Sequence, residues 1–298
     1  MFMSHYATEV CKCPYFSIML FIVNPISGKG RKERIISFLK KEGCKIMFTE
    51  YAGHAEKIAR EADERIIVAV GGDGTVNEVA RGILGSEKTL GIIPCGSGDG
   101  LALHLGISRN YKKAYSTIRQ GHITSIDTAT INGKPFFSVC GVGFDAAVSE
   151  KFANSGKRGV INYIEQGIKS WLDFAPEKYT VDIDGKVSET EATLITVCNS
   201  SQWGNNVRIA PMADISDGLI DIAIIEKVDI IDLPTIALLF VTGKSNYTKK
   251  LHSIRGKEIR ISRTFSGPVH ADGEWFNAGT ELEIKINPAS LKIIIPKG

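Results

Sequence analysis

Short apolar runs alternate with amphipathic stretches over the first part of the chain. Residues 18–23 are apolar throughout, and residues 32–41 then place Ile35, Ile36 and Leu39 on one helical face. Residues 45–51 alternate, residues 54–64 read as an amphipathic helix, and residues 66–70 form a continuous apolar run ending at Gly71-Gly72. Residues 75–84 return to helical spacing, and residues 90–93 form another short strand stopped by Pro94. Strands without a polar face, alternating with helices, predict a doubly wound parallel sheet covered on both sides. After about residue 129 the texture changes to longer alternating strands and hairpins. Residues 179–184 and 189–197 flank Asp184-Gly185, a type I′ turn signal. Residues 219–225, 257–262, 281–286 and 291–295 read as further strands, with helices near 145–153, 160–174 and 232–242. The expected architecture is an α/β domain over residues 16–128, followed by a β-sandwich over 129–298.

Composition narrows the function. The chain has 298 residues, 43% hydrophobic and 23% charged, with a net charge of +3. Disordered and fibrous classes are excluded, and so near-balanced a charge argues against nucleic acid as the main partner. The apolar stretch 230–241 is broken by Asp232 and Pro234 and is too short to cross a bilayer. Six cysteines carry no paired metal spacing and fall mostly singly in apolar runs, so a cytoplasmic location with reduced thiols is expected.

Three glycine loops follow successive strands: Asn24-Pro25-Ile26-Ser27-Gly28-Lys29-Gly30, Gly71-Gly72-Asp73-Gly74-Thr75-Val76-Asn77-Glu78 and Pro94-Cys95-Gly96-Ser97-Gly98-Asp99-Gly100. Such loops let backbone approach a phosphate, and a following helix supplies free N–H groups. Loops at neighbouring strand ends converge on one crevice, where doubly wound sheets bind ligands. Asp73 is unexpected beside a phosphate; it holds Mg²⁺ or a proton, organises the loop, or simply caps the helix. Gly141-Val142-Gly143-Phe144-Asp145-Ala146 matches a dinucleotide fingerprint, but hairpins follow it, which favours a tight interdomain turn. The stretch from Pro211 to Asp221 offers hard oxygen ligands for Mg²⁺ or Ca²⁺, or is a plain turn. His270-Ala271-Asp272-Gly273-Glu274 offers a general base, or is a β-turn.

In this order these motifs resemble the diacylglycerol kinase catalytic-domain family, which includes bacterial soluble lipid kinases and the sphingosine and ceramide kinases. Asn24-Pro25-x-Ser27-Gly28, Gly71 to Glu78, Pro94-x-Gly96-Ser97-Gly98, Gly141-x-Gly143-Phe144-Asp145-Ala146, Asp217-Gly218-Leu219-x-Asp221 and Asp272-Gly273-Glu274 carry the likeness, which runs from about residue 16 to the end. It implies ATP and Mg²⁺ as cofactors and a lipid hydroxyl, of diacylglycerol or sphingoid-base type, as acceptor at a membrane surface. It also implies that Asn24 to Gly28, Thr49, Gly71 to Asn77 and Ser97 contact nucleotide. Asp217, with main-chain oxygens near Asp214 and Leu219, resembles the family's structural Mg²⁺ site. Asp272 or Glu274 resembles the base, and Asp73 an acid/base or metal-network aspartate. Asp99 stands where a sphingoid-base-kinase version of the loop has Asn, exchanging an amide for a charge.

Peripheral membrane contact and a homodimer are further expectations. Candidate basic contacts are Lys29, Arg31, Lys32 and Arg34, and the group Lys249, Lys250, Arg255 and Lys257; a solvated helix face or strand edge is the simpler reading for each, because a few scattered charges are normal. Two other readings remain at this stage, an NAD kinase-like activity on a soluble substrate and a non-catalytic nucleotide or lipid sensor.

Overall fold

The computed structural model describes residues 18–28, 30–154, 174–245, 248 and 250–297. In the first half, β1 (Met19–Val23), α1 (Lys32–Lys41), β2 (Lys45–Phe48), α2 (His54–Glu61), β3 (Ile66–Gly71), α3 (Asp73–Ile83) and β4 (Thr89–Pro94) alternate as expected. They are followed by α4 (Gly100–His104) and α5 (Tyr111–Gln120). The strands run parallel in the order β2-β1-β3-β4. Helices pack on them through Leu39, Ile58, Val79, Ile83 and Ile118, against Phe21, Val68 and Ile92 of the strands. That cover explains why β1, β3 and β4 carry almost no polar side chains.

The second half begins with β5 (His122–Ile131), β6 (Lys134–Phe136), β7 (Val139–Gly143), α6 (Phe144–Asn154), β8 (Glu177–Ile183) and β9 (Lys186–Ala192). There follow β10 (Leu194–Cys198), β11 (Gln202–Gly204), β12 (Val207–Arg208), β13 (Ile220–Ile225) and α7 (Leu233–Thr242). The chain closes with β14 (Leu251–Gly256), β15 (Glu258–Arg263), β16 (Gly267–Ala271), β17 (Glu274–Ala278) and β18 (Glu281–Ile295). A six-stranded antiparallel sheet, β14-β13-β10-β7-β16-β17, lies against β5, β6, β8, β15 and β18. Phe136, Val142, Ile195, Ile222, Ile259, Val269 and Ile284 fill the space between the two layers. This is the expected sandwich.

Two expected strands differ from the structure. Residues 189–197 do not form one strand: β9 ends at Ala192 and β10 starts at Leu194 in the opposite sheet. The change of partner is visible in burial, since β9 is mostly exposed and β10 wholly buried. Conversely, 281–286 and 291–295 belong to the single strand β18, whose register shifts between Asn287 and Leu291. Ala289 in that bulge has φ of 49°. Past the bulge, β18 pairs in parallel with β4 through Lys292 and Ile293, while before it β18 pairs with β15. One ten-stranded sheet therefore runs through both halves, and residue 128 falls inside β5. The Asp184-Gly185 turn has φ of 51° and 82°, as type I′ geometry requires. The helix expected over 160–174 lies outside the described residues up to 173.

Phe136 is fully buried between the layers. Its truncation to Ala is expected to cost about 3–5 kcal/mol, to be read as a large fall in Tm by calorimetry.

Candidate active site

The loops after β1, β3 and β4 meet at one edge of the parallel sheet. Asn24 joins the first two: its Nδ2 donates to Thr75 Oγ1 at 3.1 Å, and its Oδ1 accepts from the Ile26 N–H at 2.9 Å. The second and third loops touch backbone to backbone. A Cβ on Gly96 would lie 2.6 Å from the Gly72 Cα, so both positions must be glycine for the approach to exist. Thr75, Val76 and Asn77 are buried in the first turns of α3, and Thr49 is buried after β2. Pro25 accepts from Lys32 Nζ, Ile26 and Ser97 are exposed, and Ser27 and Gly28 are half-buried. The crevice thus gathers the expected nucleotide residues. Asn77 Nδ2 is a buried donor with no hydrogen-bond partner among the described residues.

Asp73 organises the loops. Its Oδ2 accepts from the Asp99 N–H at 2.8 Å and its Oδ1 from the Gly100 N–H at 2.7 Å, which satisfies the first turn of α4. Of the roles left open for Asp73, loop organisation is the one its contacts perform. Asp99 is buried with φ of 51°, a conformation Asp and Asn tolerate better than other side chains. Burial, then the neighbouring Asp73 charge, raises its pKa; the Gly96 N–H and Arg109 pull the other way. Arg109 Nε donates to Asp99 at 3.0 Å, and its Nη2 donates to the Ser97 and Gly98 carbonyls at 3.0 and 2.8 Å. The buried charge at position 99 is met by a guanidinium.

The hairpin β11–β12 closes over this loop from the second half. A Cβ on Gly204 would lie 3.3 Å from Gly98 Cα, the Asn205 N–H donates to Gly98 O, and Arg109 Nη1 donates to Asn205 Oδ1. His104 Nδ1 accepts from the Ser201 N–H at 3.2 Å and lies 2.9 Å from Ser201 Oγ; burial lowers its pKa.

The Pro211-to-Asp221 loop departs from the expected Mg²⁺ site. Asp214 Oδ1 accepts from the Ser216 N–H and Oγ, which together with nearby cations hold its pKa low. Asp217 Oδ1 accepts from the Leu219 N–H, and its Oδ2 lies 3.0 Å from Arg255 Nη2. Arg255 Nε meets both oxygens of Asp221 at 3.1 Å, and Nη2 also donates to Met212 O. Both Asp217 oxygens have a protein partner and a fixed positive charge stands among Met212, Asp217 and Asp221, so a divalent ion here would compete with the Arg255 guanidinium. Among the described residues no three His, Cys, Asp or Glu side chains are grouped to hold a metal. Asp127, which the sequence reading passed over, anchors the same loop: its Oδ2 accepts from the Gly218 N–H and its Oδ1 from the Ala289 N–H, both at 2.7 Å.

The turn between β16 and β17 separates its two acids. Asp272 accepts from the N–H groups of Phe137, Ser138 and Val139 at 2.8–3.0 Å. Burial raises its pKa to about 6 against the pull of those donors. Glu274 is 42% exposed, with one contact, Arg81 Nη1 at 3.4 Å. Behind the turn, His270 Nε2 lies 3.0 Å from Asp145 Oδ2, which also accepts from Thr196 Oγ1. A Cβ on Gly141 would lie 2.5 Å from that same Asp145 oxygen. The first glycine of the apparent dinucleotide fingerprint therefore makes room for a carboxylate.

Two of the basic residues considered for membrane contact are already engaged, Lys32 with Pro25 and Arg255 with the acidic loop, while Lys29 and Lys249 lie outside the described residues. Arg81, Arg109, Asp127 and Arg255 stand outside every motif. Their signal is only that a buried or crowded acid needs a partner, and sequence does not say which.

The model described as the diacylglycerol kinase catalytic domain matches residues 18–131, and that of the YegS C-terminal NAD kinase beta sandwich-like domain matches residues 138–295. The chain belongs to the diacylglycerol kinase family. An uncharacterized protein of Synechocystis sp. is 30% identical over 302 residues, covering 92% of this chain and 69% of that protein. The diacylglycerol kinase of Bacillus subtilis (strain 168) is 27% identical over 268 residues, covering 85% of this chain and 88% of its own. A solved diacylglycerol kinase structure from Bacillus anthracis str. Sterne superposes with a TM-score of 0.72 at 22% identity, over 93% of this chain and 96% of that one. At that identity the superposition shows the fold alone.

Two outcomes follow from the guanidinium contacts. Arg109→Leu orphans the buried Asp99 charge and is expected to cost about 2–4 kcal/mol, since Arg109 is partly exposed. Adding Asp99→Asn should recover much of that loss in a thermal double-mutant cycle. The second concerns metal: the wild-type Tm is expected to stay within about 1 °C between excess chelator and millimolar Mg²⁺ without nucleotide, because the Arg255 guanidinium already stands among the acids of this loop. A chelator-induced fall of several degrees would return the loop to a metal site.

Proposed function

We propose that this member of the diacylglycerol kinase family transfers the γ-phosphate of ATP to a lipid hydroxyl, with diacylglycerol the first acceptor to test and a sphingoid base the second. Residues 16–128 bind nucleotide and residues 129–298 bind lipid in this reading. The observation that carries it is the unequal pair in the β16–β17 turn, whose Glu274 meets Arg81 of α3, the helix that the second glycine loop opens. Asp272 is occupied by three backbone donors, which leaves Glu274 accessible to take a proton from an acceptor hydroxyl. Arg81, paired with Glu56 and Glu274, orients that carboxylate.

Asn24 to Gly28, Thr49, Gly71 to Asn77 and Ser97 hold the nucleotide, with the N-terminus of α3 facing its phosphates. Asp73 is a positioning residue: it fixes the third loop by capping α4. The nucleotide's own Mg²⁺ spreads the charge of the transferring phosphoryl group when bound, and the chain's residues supply alignment and exclude water. In the transfer, the acceptor oxygen forms a bond to the γ-phosphorus, the bond from that phosphorus to the β–γ bridging oxygen breaks, and the hydroxyl proton passes to Glu274. ADP leaves.

Mixed micelles carrying diacylglycerol or a sphingoid base, incubated with γ-labelled ATP, are expected to yield a labelled phospholipid. Labelling of NAD instead, independent of micelles, would favour the soluble-substrate reading; ATP binding with no labelled product would favour a sensor. Glu274→Gln is expected to lower turnover at least about 100-fold with Tm nearly unchanged. Asp272→Asn should lower Tm by several degrees through its lost backbone contacts. Near-wild-type turnover in Glu274→Gln would remove the base assignment.

A further inference from the structure

The helix α7 and the turn before it present an apolar stripe that no described element covers. Ile231 is 83% exposed, Leu238 62% and Val241 60%. With the exposed Pro234 they recur at spacings of three and four, so they share one face, while Ile236 and Phe240 are buried on the opposite face. Residues 233–242 contain no charged side chain. A surface helix ordinarily places charged groups on its outer face; this one does not.

The surroundings of the stripe are not uniform. Arg208 and Lys244 are exposed at the C-terminal end of α7, where the Arg208 side chain lies against Gly243; a Cβ there would come within 3.2 Å of Arg208 Cδ. Neither cation pairs with a carboxylate among the described residues. The nearby acids, Glu226, Asp229 and Asp232, precede the helix, together with Lys227, and Glu226 is 3.1 Å from His252. The helix is about 15 Å long, and three or four side chains along it offer less than the roughly 800 Å² per partner typical of a stable protein interface. An uncovered apolar stripe ending in unpaired cations matches the edge of an anionic bilayer, with acyl chains beneath the apolar groups and headgroups beside the basic ones.

We propose that the outer face of α7 is a membrane-docking surface for anionic lipid bilayers. The proposal deepens the lipid-kinase reading and rests on it for its purpose, but its test does not. The surface is linked to the crevice by contact: Phe240 on the inner face packs edge-on against Trp203 of β11 at 5.7 Å, and the next residue, Gly204, touches Gly98 and Gly100 of the third glycine loop.

The full chain is to be sedimented with vesicles of phosphatidylcholine alone and with one quarter phosphatidylglycerol, without nucleotide. Wild type is expected to bind the anionic vesicles and to be weakened by salt. Leu238→Glu with Val241→Glu is expected to weaken binding at least about tenfold. Arg208→Gln with Lys244→Gln is expected to weaken it roughly 5- to 30-fold on anionic vesicles and to leave neutral vesicles unaffected. All four positions are exposed, and unchanged Tm values establish that the variants fold. Kinase activity on detergent-dispersed short-chain diacylglycerol should be retained in both. Loss of that activity in wild type itself would fail the enzymatic reading alone, whatever the vesicles show. Wild-type binding by both double variants overturns the docking surface, as does failure of wild type to bind anionic vesicles. A wild-type dimer that becomes a monomer in Leu238→Glu/Val241→Glu also overturns it, in favour of a second copy of this chain.

Discussion

The contact between Gly72 and Gly96 is the constraint on which the rest of the site depends. Backbone meets backbone there at a separation that leaves no room for a side chain. That approach lets the Asp73 carboxylate reach the two N–H groups at the start of α4 and close the second loop onto the third. With the loops locked, Gly98 and Gly100 present a flat surface on which Gly204 of the β11–β12 hairpin rests. Glycine here permits the loops to hold one another.

Charge is handled the same way twice. At position 99 a buried carboxylate is answered by Arg109, which also collects two carbonyls of the same loop. In the 211–221 loop a guanidinium again stands among the oxygens, touching Asp217, Asp221 and Met212. A guanidinium offers five donors in a plane, so one side chain can satisfy several acceptors that would otherwise recruit water or a metal. Asp127 completes the arrangement by tying the acidic loop to the bulge of β18.

β18 fixes how the halves meet. Its later residues pair with β4 of the parallel sheet and its earlier ones with β15 of the sandwich, so the two halves share one hydrogen-bonded sheet. The turn bearing Asp272 and Glu274 hangs from the opposite sheet and is tied down through the Asp272 contacts with residues 137–139. Placement of Glu274 near α3, marked by Arg81, follows from that chain of pairings.

By itself the sequence determined the parallel α/β unit, the glycine loops at three strand ends, the Asp184-Gly185 hairpin and the family. These rest on local periods and on residue types with few conformational alternatives, so a short window carries them. It left Asp73 with several roles and Asp272 and Glu274 interchangeable, and it suggested a metal at Asp217. It also joined residues 189–197 that lie in different sheets and divided β18. Those questions turn on partners far apart in the chain: Asp73 with Asp99, Asp127 with Gly218 and Ala289, Asp272 with residues 137–139, and Asp217 and Asp221 with Arg255. A carboxylate's role depends on which donors surround it once the chain has folded, and only tertiary structure brings those donors to it.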